Sequence, residues 1–170
     1  MHTEKNSNPK KSTHLPELTE FLEPTASSIN WIFHLTLTFA HEPKDEFAAD
    51  KKLFLFLKEV AKAANRHPRE LQYFTRIGRG DGGRLHCHVL LGDRHLNRIP
   101  KHALGQVGNS LQLAQFFKNQ WTFGNAAAVP FQPIHLEYVT RASEGGFCDT
   151  SKAVRQAVKK AKKTPHTEIL

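Results

Sequence analysis

The stretch "GGRLHCHVLLG", residues 82–92, sets two histidines two apart inside an otherwise apolar run. Side chains alternate between the two faces of a strand, so His86 and His88 share one face and Leu85, Cys87, Val89 and Leu91 share the other. Two adjacent imidazoles suit a divalent metal, and an apolar back face suits a core. A strand of this kind belongs near the middle of a sheet, with one face buried and the other available for chemistry.

Just before it, "ELQYFTRIGR" (70–79) reads as a strand and "GDGG" (80–83) as a turn, so residues 71–92 are predicted to form a hairpin. Further upstream, "NWIFHLTLTFA" (30–40) alternates strictly. Trp31, Phe33, Leu35, Leu37 and Phe39 fall on one face, and Ile32, His34, Thr36 and Thr38 on the other. Between these segments, "KDEFAADKKLFLFLKEVAKAAN" places Phe47, Phe54, Leu57, Ala61 and Ala64 near helical spacing, which predicts an amphipathic helix with a phenylalanine-rich core face. "NSLQLAQFFKNQW" gives a second helix with Leu113, Phe117 and Trp121 at i, i+4 and i+8. "FGNAAAVPFQ" supplies a further strand interrupted by proline. "PIHLEYVTRASEGG" fits two states: Pro133 and Gly145–Gly146 suit the start and stop of a helix, whereas Ile134, Leu136 and Tyr138 alternate as in a strand. "SKAVRQAVKKAKK" is a basic helix with six Lys or Arg and no acid.

The order strand, helix, hairpin, helix, strand predicts an α+β fold: an antiparallel sheet of about five strands with helices packed on one face. Residues 1–28, polar and proline-punctuated, read as a flexible arm with a short helix near Leu18–Leu22. Residues 29–164 read as one domain and 165–170 as a tail. Lys and Arg outnumber Asp and Glu by 24 to 16, giving a net charge of +8, which argues for a polyanionic partner such as nucleic acid. Cys87 and Cys148 form no CxxC pair, and Cys87 falls on the core face; this usage fits a reducing cytosol or nucleoplasm. No apolar run approaches the roughly 20 residues of a membrane span, and residues 1–28 lack the apolar stretch of a signal peptide.

With the first strand beside the "HCH" strand, His34, Thr36, Thr38, His86 and His88 converge on one polar patch. These two segments, "FHLTLTF" and "GGRLHCHVLLG", resemble the first two motifs of the HUH endonuclease superfamily, which comprises rolling-circle replication initiators, relaxases and single-strand transposases. The likeness covers roughly residues 30–142, with His86, Cys87 and His88 in the places of the family's His-x-His. It implies an RRM-like sheet, in keeping with the order of elements.

The resemblance also implies a reaction, metal-assisted transesterification on single-stranded DNA at a hairpin or an origin. His86 and His88 hold Mn²⁺ or Mg²⁺, and a tyrosine attacks the scissile phosphate. The family's third motif, Tyr-x-x-Lys, is met by Tyr138 in "YVTR", with Arg141 in place of the lysine; Tyr73 precedes the histidines and lies in the wrong order. If the segment is a strand, Tyr138 packs with Leu136 and Ile134 instead. If the catalytic helix is "SKAVRQAVKKAKK", the slot falls at Ala153 or Ala157 and the tyrosine has been replaced. The acid that many members carry beside the His-x-His strand is missing between Leu71 and Arg79. His34 is the first choice for a third ligand, with Gln72, Asp81 and Gln156 as alternatives.

Arg76, Arg79 and Arg84 around the hairpin, and Lys152, Arg155, Lys159 and Lys160 on the last helix, are the expected phosphate contacts. Two other functions fit parts of the pattern. One is the same fold holding single-stranded nucleic acid without chemistry. The other is a two-histidine RNA phosphoesterase, which needs a second His-x-Thr or His-x-Ser that position 88 does not supply. No helicase motif is present, so unwinding would fall to a separate partner. The setting implied by the family is a bacterial, plasmid or phage cytoplasm, or a host nucleus for a viral protein.

Overall fold

The computed structural model describes residues 29–80, 82–92, 94–96, 99, 109–140, 147–150 and 156. The arm read over 1–28 lies outside them, as does the basic segment 151–163 except Gln156, which is helical and exposed. The elements run β1 (Trp31–Thr38), α1 (Glu46–Ala63), a 3-10 turn (Pro68–Glu70), β2 (Tyr73–Arg79), β3 (Leu85–Gly92), α2 (Asn109–Gln120), β4 (Ala126–Pro130), α3 (Ile134–Thr140) and β5 (Phe147–Thr150). The fold is α+β. One sheet has the order β4-β1-β3-β2-β5, with every neighbouring pair antiparallel. The "HCH" strand β3 is therefore central.

On one face, Phe33, Leu35 and Leu37 of β1 and Leu85, Cys87, Val89 and Leu91 of β3 pack under α1 and α2 as the main core. Asp45 caps α1 by accepting a 2.8 Å hydrogen bond from the Ala48 N–H, satisfying one orphan donor of the first turn. The buried stripe of α1 is Ala49, Leu53, Phe56, Leu57, Val60 and Ala61, with Ala64 just beyond. Phe47 and Phe54, expected in the core, are 62% and 49% exposed. The smaller Ala49 and Leu53 fix the helix phase because they begin a longer run at i, i+4, i+7, i+8 and i+11.

The other face carries the second departure. α1 and α2 lie on one side of the sheet, but α3 lies on the opposite side, where Ile29, Trp31, Phe74, Leu90 and Val139 form a smaller cluster with Leu136 and Phe131 at its edge. Trp31 belongs here rather than with Phe33 because the β1–β3 register slips between them: Trp31 pairs with Gly92 and Phe33 with Leu91. One extra residue reverses the alternation, so Ile32 turns towards the main core and Trp31 away from it. Burying Val139 contributes about 1.5–3 kcal/mol, a small apolar anchor for a two-turn helix. The segment that read as strand or helix is thus helical. The fifth strand is "FCDT", a stretch too short to show a period of its own.

Candidate metal centre and adjoining cleft

Registers place the patch in detail. Thr36 pairs with His88 and Thr38 with His86 across β1–β3, while Arg76 pairs with His88 and Gly78 with His86 across β2–β3. His86 Nε2 and His88 Nε2 lie 3.1 Å apart. Adjacent ligands of one ion, at metal–ligand distances of about 2.1 Å, stand about 2.8–3.4 Å from each other, so this pair fits two positions on one divalent metal. The nitrogens behind them are held as well. His88 Nδ1 is 3.2 Å from His34 Nε2 and 3.4 Å from Thr36 Oγ1, and His86 Nδ1 is 3.4 Å from the Arg84 carbonyl. When Nε2 faces a metal, Nδ1 carries the proton and donates it to such partners, fixing the tautomer and the ring.

His34, expected as a third ligand, lies against the far side of the His88 ring. It meets the opposite edge of the His88 ring from the one that faces His86, so it stands behind the His86–His88 pair. Among the described residues no His, Cys, Asp or Glu joins the pair to make a cluster of three. Gln72 pairs beyond Phe74 and Leu90, next to Gly92, and lies at the wrong end of the strand. Asp81 lies outside the described residues, and Gln156 is exposed. Burial, with the neighbouring His135 adding to it, holds the His34 imidazole down at about pKa 4, so it is neutral near pH 7. Cys87 points into the core, where burial pushes its thiol up to about 12; it is no ligand.

His135, on α3, is a residue that sequence reasoning missed. Its ring stacks on His34 with centroids 4.5 Å apart and planes at 21°, and its Nδ1 accepts a 2.9 Å hydrogen bond from the Gln132 N–H. Burial lowers its pKa. The only hint was "IHLEY", where a histidine precedes Tyr138 by three residues, a spacing that matters only if the segment is helical. It is: Tyr138 lies within α3, and the description of that residue is of its backbone. Arg141 lies outside the described residues. Tyr73 is buried in the main core, on the face away from the histidines.

The arginines divide three ways. Arg76 is 1% exposed and donates from Nη1 to the Val139 carbonyl at 3.3 Å, so it lies beneath α3 and out of reach of a surface phosphate. Arg79 pairs with Glu42 at 2.8 Å and Glu46 at 3.7 Å and donates to the Gly83 carbonyl, which sets its charge against two carboxylates. Arg84 is exposed and lines a cleft of about 760 Å³ with Thr36, Thr38, His86, His88 and Asn125. Lys152, Arg155, Lys159 and Lys160 lie outside the described residues. No helix among the described residues is long and apolar enough to cross a membrane.

No family model and no curated protein matches this chain. Among solved structures, the N-terminal nuclease domain of non-structural protein 1 of minute virus of mice is similar to it, with 13% identity and a TM-score of 0.37 over 82% of this chain and 73% of that one. That domain is described as having a unique Zn²⁺ coordination in its active-site pocket and a novel mode of DNA recognition at the origin of replication. The likeness is a distant one.

Proposed function

We propose that this protein nicks and rejoins single-stranded DNA by metal-assisted transesterification, with Tyr138 as nucleophile, and so initiates rolling-circle replication or transposition. The observation that carries the reading is the 3.1 Å approach of His86 and His88 Nε2 at the floor of an open cleft, on the same face of the sheet as the helix that bears Tyr138. His86 and His88 would hold Mn²⁺ or Mg²⁺. Bound there, the ion supplies Lewis-acid charge to the scissile phosphate.

The remaining steps belong to the chain. His34, Thr36 and the Arg84 carbonyl keep both ligand rings turned to the cleft. The Tyr138 hydroxyl oxygen bonds to phosphorus as the bond from phosphorus to the 3′ oxygen breaks. The phenolic proton leaves to solvent and the departing oxygen takes one up, giving a 5′-phosphotyrosine and a free 3′-hydroxyl. Reversal rejoins the strand with no nucleotide cofactor, because the ester energy is kept in the covalent link. Arg141, three residues on, offers a cation to the phosphate. Arg84 and the basic segment with Lys152, Arg155, Lys159 and Lys160 hold the backbone on either side.

The test is incubation with pooled single-stranded DNA and Mn²⁺, read by denaturing gel and mass spectrometry of a protein–DNA adduct. The parent chain forms the adduct and Tyr138→Phe does not, while still binding DNA. The His86→Ala/His88→Ala double variant stays folded, because its apolar face is untouched, and loses both Mn²⁺ binding and the adduct. A double variant that titrates Mn²⁺ like the parent would place the metal elsewhere, and an adduct with Tyr138→Phe would remove Tyr138 from the chemistry.

A further inference from the structure

α3 is seven residues long, and among the side chains described its apolar contacts are the buried Val139 and the half-buried Leu136. Two polar contacts hold its ends. Near the first turn, the His135 ring lies flat on His34, and the Gln132 N–H fixes that ring by donating to Nδ1. At the last turn, the Val139 carbonyl accepts from the buried Arg76 guanidinium. Both anchoring groups on the sheet are immediate neighbours of His88: His34 touches its Nδ1, and Arg76 is its register partner on β2. The helix is thus tied at either end to the two residues that flank one metal-facing histidine.

We infer that His135 and Arg76 are positioning residues that lock α3, and with it the backbone that carries Tyr138, at a fixed height on the sheet beside His88. The inference rests on the reading of Tyr138 as nucleophile. An in-line attack tolerates little displacement, and misplacing a reacting group by about 1 Å costs on the order of a hundredfold in rate. Two anchors at opposite ends of two turns remove both tilt and slide, which the apolar contacts of Val139 and the half-buried Leu136 alone do not.

The experiment uses the full chain. His135→Ala removes the stacking ring, and His135→Phe restores a flat ring on His34 without a titratable nitrogen. Hydrogen–deuterium exchange across residues 134–140 should speed up at least tenfold in His135→Ala and return towards the parent rate in His135→Phe. In single-turnover nicking, His135→Ala should lose on the order of tenfold to a hundredfold in adduct formation, with Mn²⁺ and DNA affinities within about twofold of the parent, and His135→Phe should recover most of it. Arg76→Lys, which keeps a buried cation but shortens its reach, should show the same split. Unchanged exchange in His135→Ala overturns the inference, as does a parent-like adduct rate. If the parent forms no adduct on any DNA, the proposed reaction falls, and the exchange measurement still decides whether the helix is clamped.

Discussion

His88 is the residue on which the site turns, because both of its ring nitrogens are engaged and by different groups. Nε2 faces His86 and Nδ1 faces His34, so the imidazole that read as a third ligand stands where it can set the tautomer of His88. A neutral His34 is well suited to this, since with its pKa held at about 4 by burial it can accept from Nδ1–H without adding a positive charge beside His88. Outer partners of this kind tune affinity and do not create it. His34→Ala should therefore weaken Mn²⁺ binding on the order of tenfold to a hundredfold, measured by electron paramagnetic resonance titration. His88→Ala should abolish it. A loss in His34→Ala as complete as in His88→Ala would return His34 to the ligand set.

Among the elements, the site depends on how β1 leaves the sheet. Thr38 N–H donates to the Asn125 carbonyl and Ala40 N–H to the Phe123 carbonyl, both at 2.9 Å, and the two bonds straddle Gly124. A Cβ at Gly124 would run into the Thr38 carbonyl oxygen and lie 2.6 Å from the Ala40 nitrogen, contacts that only backbone movement can relieve. Gly124→Ala should cost about 1–3 kcal/mol or more by overpacking, read from the midpoint of urea unfolding; a shift within experimental error would show that the β1–β4 junction yields. The same elements show what was legible in the sequence. The alternation of "FHLTLTF" and "LHCHVLL" placed the polar face, the hairpin and the central strand, because period two is a local property of a half-buried strand. The bulge at Ile32 was not legible, since it exists only as a mismatch between two paired strands. The phase of α1 was misread by weighting Phe47 and Phe54, where the longer run of Ala49, Leu53, Phe56, Leu57 and Val60 is the buried stripe. His135 and Arg76 were missed or misassigned for a related reason. Each has its role only once α3 is known to be helical and to lie across the histidine face.

Taken over the full chain, a net charge of +8 suits a polyanionic partner without saying which cations would meet it. The structure separates the hairpin arginines. Arg76 is spent beneath α3, Arg79 faces Glu42 and Glu46, and Arg84 stands exposed at the cleft beside His86 and His88. Each phosphate neutralised on a single strand contributes about 0.7 to the slope of log affinity against log salt. Arg84→Gln should therefore flatten that slope by about 0.7, whereas Arg79→Gln should leave it nearly unchanged, because the charge removed is already balanced within the protein. Fluorescence anisotropy with a labelled single strand across a salt series measures both. Equal changes in the two variants would mean that the Arg79 ion pairs open to meet DNA and that the strand runs over the outside of the hairpin turn. A change confined to Arg84 puts the backbone in the cleft, where a phosphate can reach the two histidines.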